Sequence, residues 1–263
     1  MTERSYETIR VERMAKVGRI WLDRPAVHNA FNSQMIGELR AALGDLGADG
    51  SVRVVVLSGT GKSFCAGADL NWMREIIRFS YEQNLEESLE LAEWLYELSA
   101  LPKPTVARVN GAAIGGGAGF LSACDIVVAS TGAMFGLSEV KIGLVPACIA
   151  PYVLRRTGEG RARQYFLTGE RFDARRALEI GLVNILAEPG NLDETVDGLA
   201  GRLISSGPAA LAACKELLRT VPGMDMADAK RFTAEMIAGL RVGPEGQEGM
   251  AAFLEKRKPK WSE

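Results

Sequence analysis

Histidine is nearly absent from this chain, which has one, His28, in 263 residues. A Ser-His-Asp or Cys-His engine would have to run through it, and no Gly-x-Ser-x-Gly elbow accompanies it. His28 is read instead as a loop residue that lines a site or caps a turn. Cysteine is sparse too. The four present, Cys65, Cys124, Cys148 and Cys214, have none of the paired spacings of a zinc site or a redox dithiol, and are expected to be free and mostly buried. No run approaches the roughly 18 to 20 apolar residues of a membrane span, and the segment Met1 to Glu7 lacks the apolar core of a secretory leader. These absences point to a cytoplasmic protein with no membrane partner. A net charge of −2, from 31 basic and 33 acidic residues, supplies no field for nucleic acid.

What is present suits a large core, with a hydrophobic share of 47% against a charged share of 24%. Tyr6 to Met14 and Val17 to Leu22 read as a hairpin, and Met35, Ile36, Leu39, Leu43 and Leu46 recur at helical spacing. Val52 to Leu57 reads as a strand buried on both faces and Thr105 to Val109 as another buried strand, with Ile126 to Ala129 and the short Met134 to Gly136 as further strands. Leu91, Trp94, Leu95 and Leu98 form a helical core stripe between the first two of these. The alternation predicts an α/β spiral of β-β-α units with site loops gathered at one end. After Ala147 the β signals thin out, and helices are expected over Arg161 to Leu167, Ala174 to Ile180, Leu192 to Ile204, Pro208 to Leu218, Met224 to Leu240 and Pro244 to Lys256. The expected division is a core over 1–195 and a helical extension over 196–263.

Two nucleotide motifs fail on spacing. Gly61-Lys62-Ser63 would need a glycine at position 56, where Val56 stands. A Gly-x-Gly-x-x-Gly register starting at Gly115 or Gly117 ends on Phe120 or Ser122. The three glycines Gly115 to Gly117 have another use: between a buried strand and a small-residue run, they bare backbone N–H groups at a helix start, where an oxygen gaining negative charge is favoured. With histidine scarce, acid-base work falls to a carboxylate. Glu139, at the end of a short apolar strand, is the first candidate, against a solvated Glu beside Lys141 as the plainer reading. Asp69 is the second, against a role as N-cap of the next helix.

Several separated motifs then resemble the enoyl-CoA hydratase/isomerase (crotonase) family: Arg24-Pro25 with Asn29-Ala30, Phe64 to Leu70, Asn110 to Ile126, and Ser138-Glu139 with Gly143 to Pro146. The resemblance implies a crotonase-like spiral with a helical C-terminal trimerisation region, in a homotrimer or dimer of trimers. It implies an acyl-CoA thioester substrate, with coenzyme A as part of that substrate and no separate cofactor or metal. The backbone amides of Ala68 and Gly116 would hold the thioester oxygen, with Glu139 as acid/base. Ala26, Val27, His28, Ala66, Asp69 and Leu70 would line the CoA groove, with Gly115 and Gly119 beside them. Family hydratases carry a second glutamate where this chain has Gly119. Despite this departure, hydration of a 2-enoyl-CoA is expected, with an enoyl-CoA isomerase, which can run on one glutamate, or a non-catalytic acyl-CoA or RNA-binding relative as alternatives. The run Ser138 to Val153 is similar to the methylglutaconyl-CoA and isohexenylglutaconyl-CoA hydratase branch, which implies a glutaconyl-type substrate of leucine or terpenoid catabolism. Its second carboxylate would either orient water or pair with a cationic side chain such as Lys141 or Arg155, against a plain surface charge as the other reading of both.

Overall fold

The computed structural model describes residues 4–262. The first three residues of the segment read as leaderless, and the last residue of the C-terminal extension, lie outside the described residues. Strands β1 (Ile9–Met14) and β2 (Val17–Leu22) form an antiparallel hairpin that closes with Met14 opposite Val17. The next helix, α1 (Ser33–Ala48), begins where the Asn32 side chain accepts the Met35 N–H at 3.0 Å, and it buries the stripe from Met35 to Leu46.

The spiral follows. Its first turn is β3 (Val54–Gly59), β4 (Ser63–Cys65), α2 (Leu70–Ile76) and α3 (Tyr81–Ala100). The second is β5 (Thr105–Val109), β6 (Ala112–Ile114) and α4 (Gly116–Ala123); the third is β7 (Ile126–Ser130) and β8 (Met134–Gly136), a 3₁₀ turn over Glu139–Ile142, then α5 (Ala150–Thr157) and α6 (Glu159–Thr168). Each turn gives one strand to each of two sheets. After β9 (Arg171–Asp173), α7 (Ala174–Glu179) and β10 (Ile185–Ala187), the sheets are complete, in the orders β1-β2-β3-β5-β7-β10 and β4-β6-β8-β9. Only the pairs β1/β2 and β8/β9 are antiparallel.

Every residue of β3 is buried because both faces of the large sheet are covered. Val55 and Leu57 point into the main core with α1, α3 and α4, while Val54 and Val56 point the other way, onto Leu192, Val196, Leu199 and Ala200 of α8 (Leu192–Ile204). The expected boundary at 195/196 thus falls inside a helix that packs on the sheet. Beyond it, α9 (Pro208–Thr220), α10 (Met226–Val242) and α11 (Pro244–Leu254) bury only Ala229 and Ala252, and leave Leu218, Met226, Val242, Phe253 and Leu254 exposed. Among the described residues no helix is long and apolar enough to cross a membrane.

α4 illustrates how packing overrides propensity. Three of its eight residues are glycine, each costing about 1 kcal/mol relative to alanine, and isolated helices under roughly 12 residues are marginal in water. Burial decides the outcome: Phe120 and Leu121 are wholly enclosed, among Phe31, Trp94 and the rest of the main core, each such side chain contributing about 1.5 to 3 kcal/mol.

Of the cysteines, Cys65 and Cys124 are buried and their thiols are pushed up to about 12 by desolvation. Cys148 is half-buried and Cys214 is exposed, so burial is less general than expected.

Candidate active site

Strands β4, β6 and β8 are consecutive parallel neighbours in the small sheet. Parallel strands run at a spacing of about 4.8 Å, so the segments leaving their C-terminal ends lie side by side. Those segments are Ala66-Gly67-Ala68, Gly115-Gly116 and Leu137-Ser138-Glu139. The Gly115 N–H donates to the Gly136 carbonyl at 2.8 Å, extending the ladder past the end of β6.

At Gly115 the backbone turns with φ +54° and ψ −125°, a region closed to residues with a Cβ. A Cβ there would also lie 3.1 Å from Glu139 Oε1. Gly116 then begins α4 with no side-chain cap. Neither its N–H nor that of Ala68 has an acceptor among the described residues. Ala68 owes this to an isolated parallel bridge with Phe31, in which the Phe31 N–H donates to Gly67 at 2.9 Å and the Asp69 N–H to Phe31 at 2.8 Å. The bridge uses its neighbours' groups and leaves the Ala68 N–H over. Glycine is also required for close approach, since a Cβ on Gly116 would sit 2.5 Å from Phe31 Cε1, and one on Gly117 would sit 2.8 Å from Cys65 Cβ.

Glu139 is half-buried at the head of the 3₁₀ turn, its Oε2 fully enclosed with no partner, and desolvation pushes its carboxyl above the usual carboxylate range. Lys141 is exposed at the far end of that turn. The solvated reading of Glu139 therefore gives way to an unpaired carboxylate set against Gly115. An unfolded glutamate ionises in the ordinary range and the folded one only at higher pH, so the penalty is absent below that range, grows as pH rises through it, and is complete above the raised value. Glu139→Gln is accordingly expected to raise the melting temperature at pH 7 and to lose that advantage below roughly pH 4; thermal melts at both pH values check it.

Asp69 takes the N-cap role. Its Oδ1 accepts from the Asn71 N–H at 2.7 Å, and Oδ2 lies 2.7 Å from Arg24 Nη2 as an ion pair, off the hydrogen-bond axis. Burial alone would raise its carboxyl, but the Asn71 and Trp72 amides and Arg24 outweigh it and hold it below the usual range. It is 4% exposed, so its carboxylate anchors the loop behind Ala68 rather than facing an open groove. Ala26, Val27, His28, Ala66 and Leu70 are exposed, and the Ala66 N–H donates to the His28 carbonyl at 3.0 Å, which joins the two segments on one surface. His28 Nδ1 lies 3.1 Å from Ser63 Oγ.

Asn29 and Ile149 are the residues that sequence reasoning gave no task. Asn29 is wholly buried at φ +56°. Its Nδ2 donates to Thr60 and Ser63 carbonyls at 2.9 and 2.8 Å, and its Oδ1 accepts from the Arg24 N–H at 2.9 Å. An asparagine between two loop segments is a fair signal for such a left-handed clamp. Ile149 covers Gly119: a Cβ at 119 would stand 2.7 Å from Ile149 Cβ, inside its side chain. Gly119 is therefore closed off, not left beside an open groove. Gly119→Glu is expected to cost more than the 1 to 3 kcal/mol typical of overpacking, because a charge is buried as well, with no gain in rate; denaturant melts with a turnover assay test this.

Arg155 is exposed and lines a surface cavity of about 290 Å³ with Cys124 and Asp125, at the opposite end of α4 from Gly116. It is thus a helix length away from the place where it was expected to pair with an acyl carboxylate. No group of three or more His, Cys, Asp or Glu residues that could hold a metal ion occurs among the described residues.

A family model described as enoyl-CoA hydratase/isomerase matches residues 12–263. The short-chain-enoyl-CoA hydratase of Clostridium acetobutylicum is 34% identical over 94% of this chain and 95% of that protein. The crotonyl-CoA hydratase of Syntrophomonas wolfei is 33% identical over 97% of each. The crystal structure of an enoyl-CoA hydratase from Shewanella pealeana superposes with a TM-score of 0.94 at 41% identity, covering 97% of this chain and 96% of that one.

Proposed function

The chain belongs to the enoyl-CoA hydratase/isomerase family, and we propose that it adds water reversibly to the double bond of a 2-enoyl-CoA thioester. One observation carries this reading: two N–H groups without acceptors and one half-buried carboxylate with an unpaired oxygen leave three adjacent parallel strands at the same end. The Ala68 and Gly116 amides hold the thioester oxygen. Glu139 takes a proton from water as the water oxygen bonds to Cβ; the π pair moves to the thioester as an enolate, whose charge the amides stabilise. The enolate then collects that proton at Cα, restoring the carbonyl and leaving Glu139 ionised. A single carboxylate serves both halves, which suits the closed position at Gly119. The exposed residues Ala26, Val27, His28, Ala66 and Leu70 form the surface that receives coenzyme A.

A double-bond isomerase is the second reading, favoured by that same single carboxylate, since moving one proton between carbons needs no second acid. Initial rates of water addition to crotonyl-CoA and 3-methylglutaconyl-CoA, set against isomerisation of a 3-enoyl-CoA, decide between them; isomerisation without hydration would displace the first reading. For the acyl group we propose the glutaconyl type, on the likeness of Ser138 to Val153. A rate advantage of 3-methylglutaconyl-CoA over crotonyl-CoA is the expected result. We also propose a cytoplasmic location and a homotrimer or dimer of trimers, the assembly supported by the exposed apolar side chains of α9 to α11. Sedimentation of the purified protein as a monomer would remove the oligomer.

A further inference from the structure

The negative end of α4 is held by a cation. Arg156, in the last turn of α5, reaches the C-terminal end of α4, where its Nε donates to the Ser122 carbonyl at 3.0 Å and its Nη2 to the carbonyls of Cys124 and, at 3.0 Å, Asp125. Nη1 donates to Asn184 Oδ1 at 3.0 Å and, at the limit of range, to the Leu182 carbonyl at 3.5 Å. These are carbonyl and amide acceptors. The nearby Asp125 carboxylate is committed to Lys215 at 2.5 Å and to the N–H and hydroxyl of Thr105. With Arg155 at the rim of the same cavity, this end of the helix carries more cations than anions. Burial lowers the Arg156 pKa, with Cys124 and Asp125 acting against it, but a guanidinium starts so far above neutrality that it stays charged.

α4 is held laterally by its buried side chains, but it has no side-chain cap at its start and three glycines in its eight residues, so what grips its two ends also sets how its first N–H is aimed. The Gly115 ladder bond grips the first and Arg156 the second. We propose that Arg156 is a positioning residue for the Gly116 amide: it fixes the carbonyl end of α4 and offsets the negative pole of the helix, which keeps the N–H end aimed and electropositive where the thioester oxygen gains charge. This rests on the role given to Gly116 above. An eight-residue helix is about 12 Å long, so the cation acts from on the order of 15 Å. At an effective dielectric of about 20 that amounts to roughly a fivefold effect on rate.

Arg156→Met takes a donor from five acceptors and need not fold, so Asn184→Asp is the informative variant. Asn184 Oδ1 also accepts the Val127 N–H, at 2.8 Å; aspartate keeps both acceptor contacts and sets a full negative charge against the guanidinium. The expected result is a melting temperature no lower than that of the parent, a fall in kcat of roughly fivefold, unchanged affinity for a saturated acyl-CoA, and a similar loss in the enolate absorbance of bound 3-ketoacyl-CoA. That absorbance reports charge on the thioester-side oxygens, which a purely structural role would not move. If the parent protein converts 3-ketoacyl-CoA to its enolate and Asn184→Asp does so equally well with undiminished kcat, the role of Arg156 is overturned while the Gly116 reading stands. If the parent protein binds that ligand only in its keto form, the Gly116 reading fails and takes this inference with it.

Discussion

Glu139→Gln is expected to lower the rate of water addition by about 10²- to 10⁴-fold, the usual contribution of one general acid-base group, with KM little changed. The amide keeps the volume and much of the contact with Gly115, so the surface that receives coenzyme A is preserved. What it loses is the capacity to accept a proton from water and return it to Cα. Because the carboxylate is enclosed with one oxygen unpaired, its ionised form is a cost to the fold, and the variant should be at least as stable as the parent at neutral pH. Stability kept and turnover lost is a combination that unfolding cannot mimic. The raised pKa of Glu139 sets the acid limb of the parent's activity above the ordinary carboxylate range, since the water step needs the ionised form. Rates on crotonyl-CoA measured across pH, beside a thermal melt, check both statements. A variant turning over within threefold of the parent would take Glu139 out of the chemistry.

The second large effect is expected at Ala68. Replacing it by proline removes the N–H and sets the ring Cδ where that N–H pointed, while the bridge to Phe31, made by the Gly67 carbonyl and the Asp69 N–H, needs no donor from residue 68. Loss of one preorganised donor to a developing oxyanion costs about 10²- to 10³-fold in kcat. Ala68→Gly, which keeps the N–H, serves as the control and should stay close to the parent. Steady-state kinetics of both variants, with circular dichroism to confirm the fold, measure the difference; equal kcat in the two would show that the amide is not used. Gly116 offers no such clean variant, because any Cβ there meets the Phe31 ring.

The elements most visible in the sequence were those whose signal is local. The strand Thr105–Val109 and the helix Leu192–Ile204 emerge with the bounds that periodicity suggested. The strands β4, β6, β9 and β10 do not: three residues are too few to show a period of two, and each exists only through its neighbour in a sheet, so that of the three-residue strands only β8, Met134–Gly136, was legible. Two of the missed strands fall after Ala147, where the β signals thin out. The short helix α5 was missed as well, and it carries both Ile149, at its N-cap, and Arg156. Asp69 shows the same limit from another side. Its N-cap role was legible three residues away, but its ion pair with Arg24 joins loops that are distant in the chain.

By itself, the sequence determined that nearly all histidine and paired-cysteine chemistry was excluded, that buried strands alternate with helices, and that Gly115 to Gly117 bare a helix start, since composition, periodicity and backbone freedom are local properties. Only the tertiary structure decided that β4, β6 and β8 lie side by side, so that Ala68, Gly116 and Glu139 leave the sheet at one end. It alone decided that Glu139 is desolvated, that Gly119 is sealed under Ile149, and that a cation stands behind α4. Each of these depends on which distant segment comes to rest within a few ångströms, and long-range packing sets that, with no trace in the residues on either side.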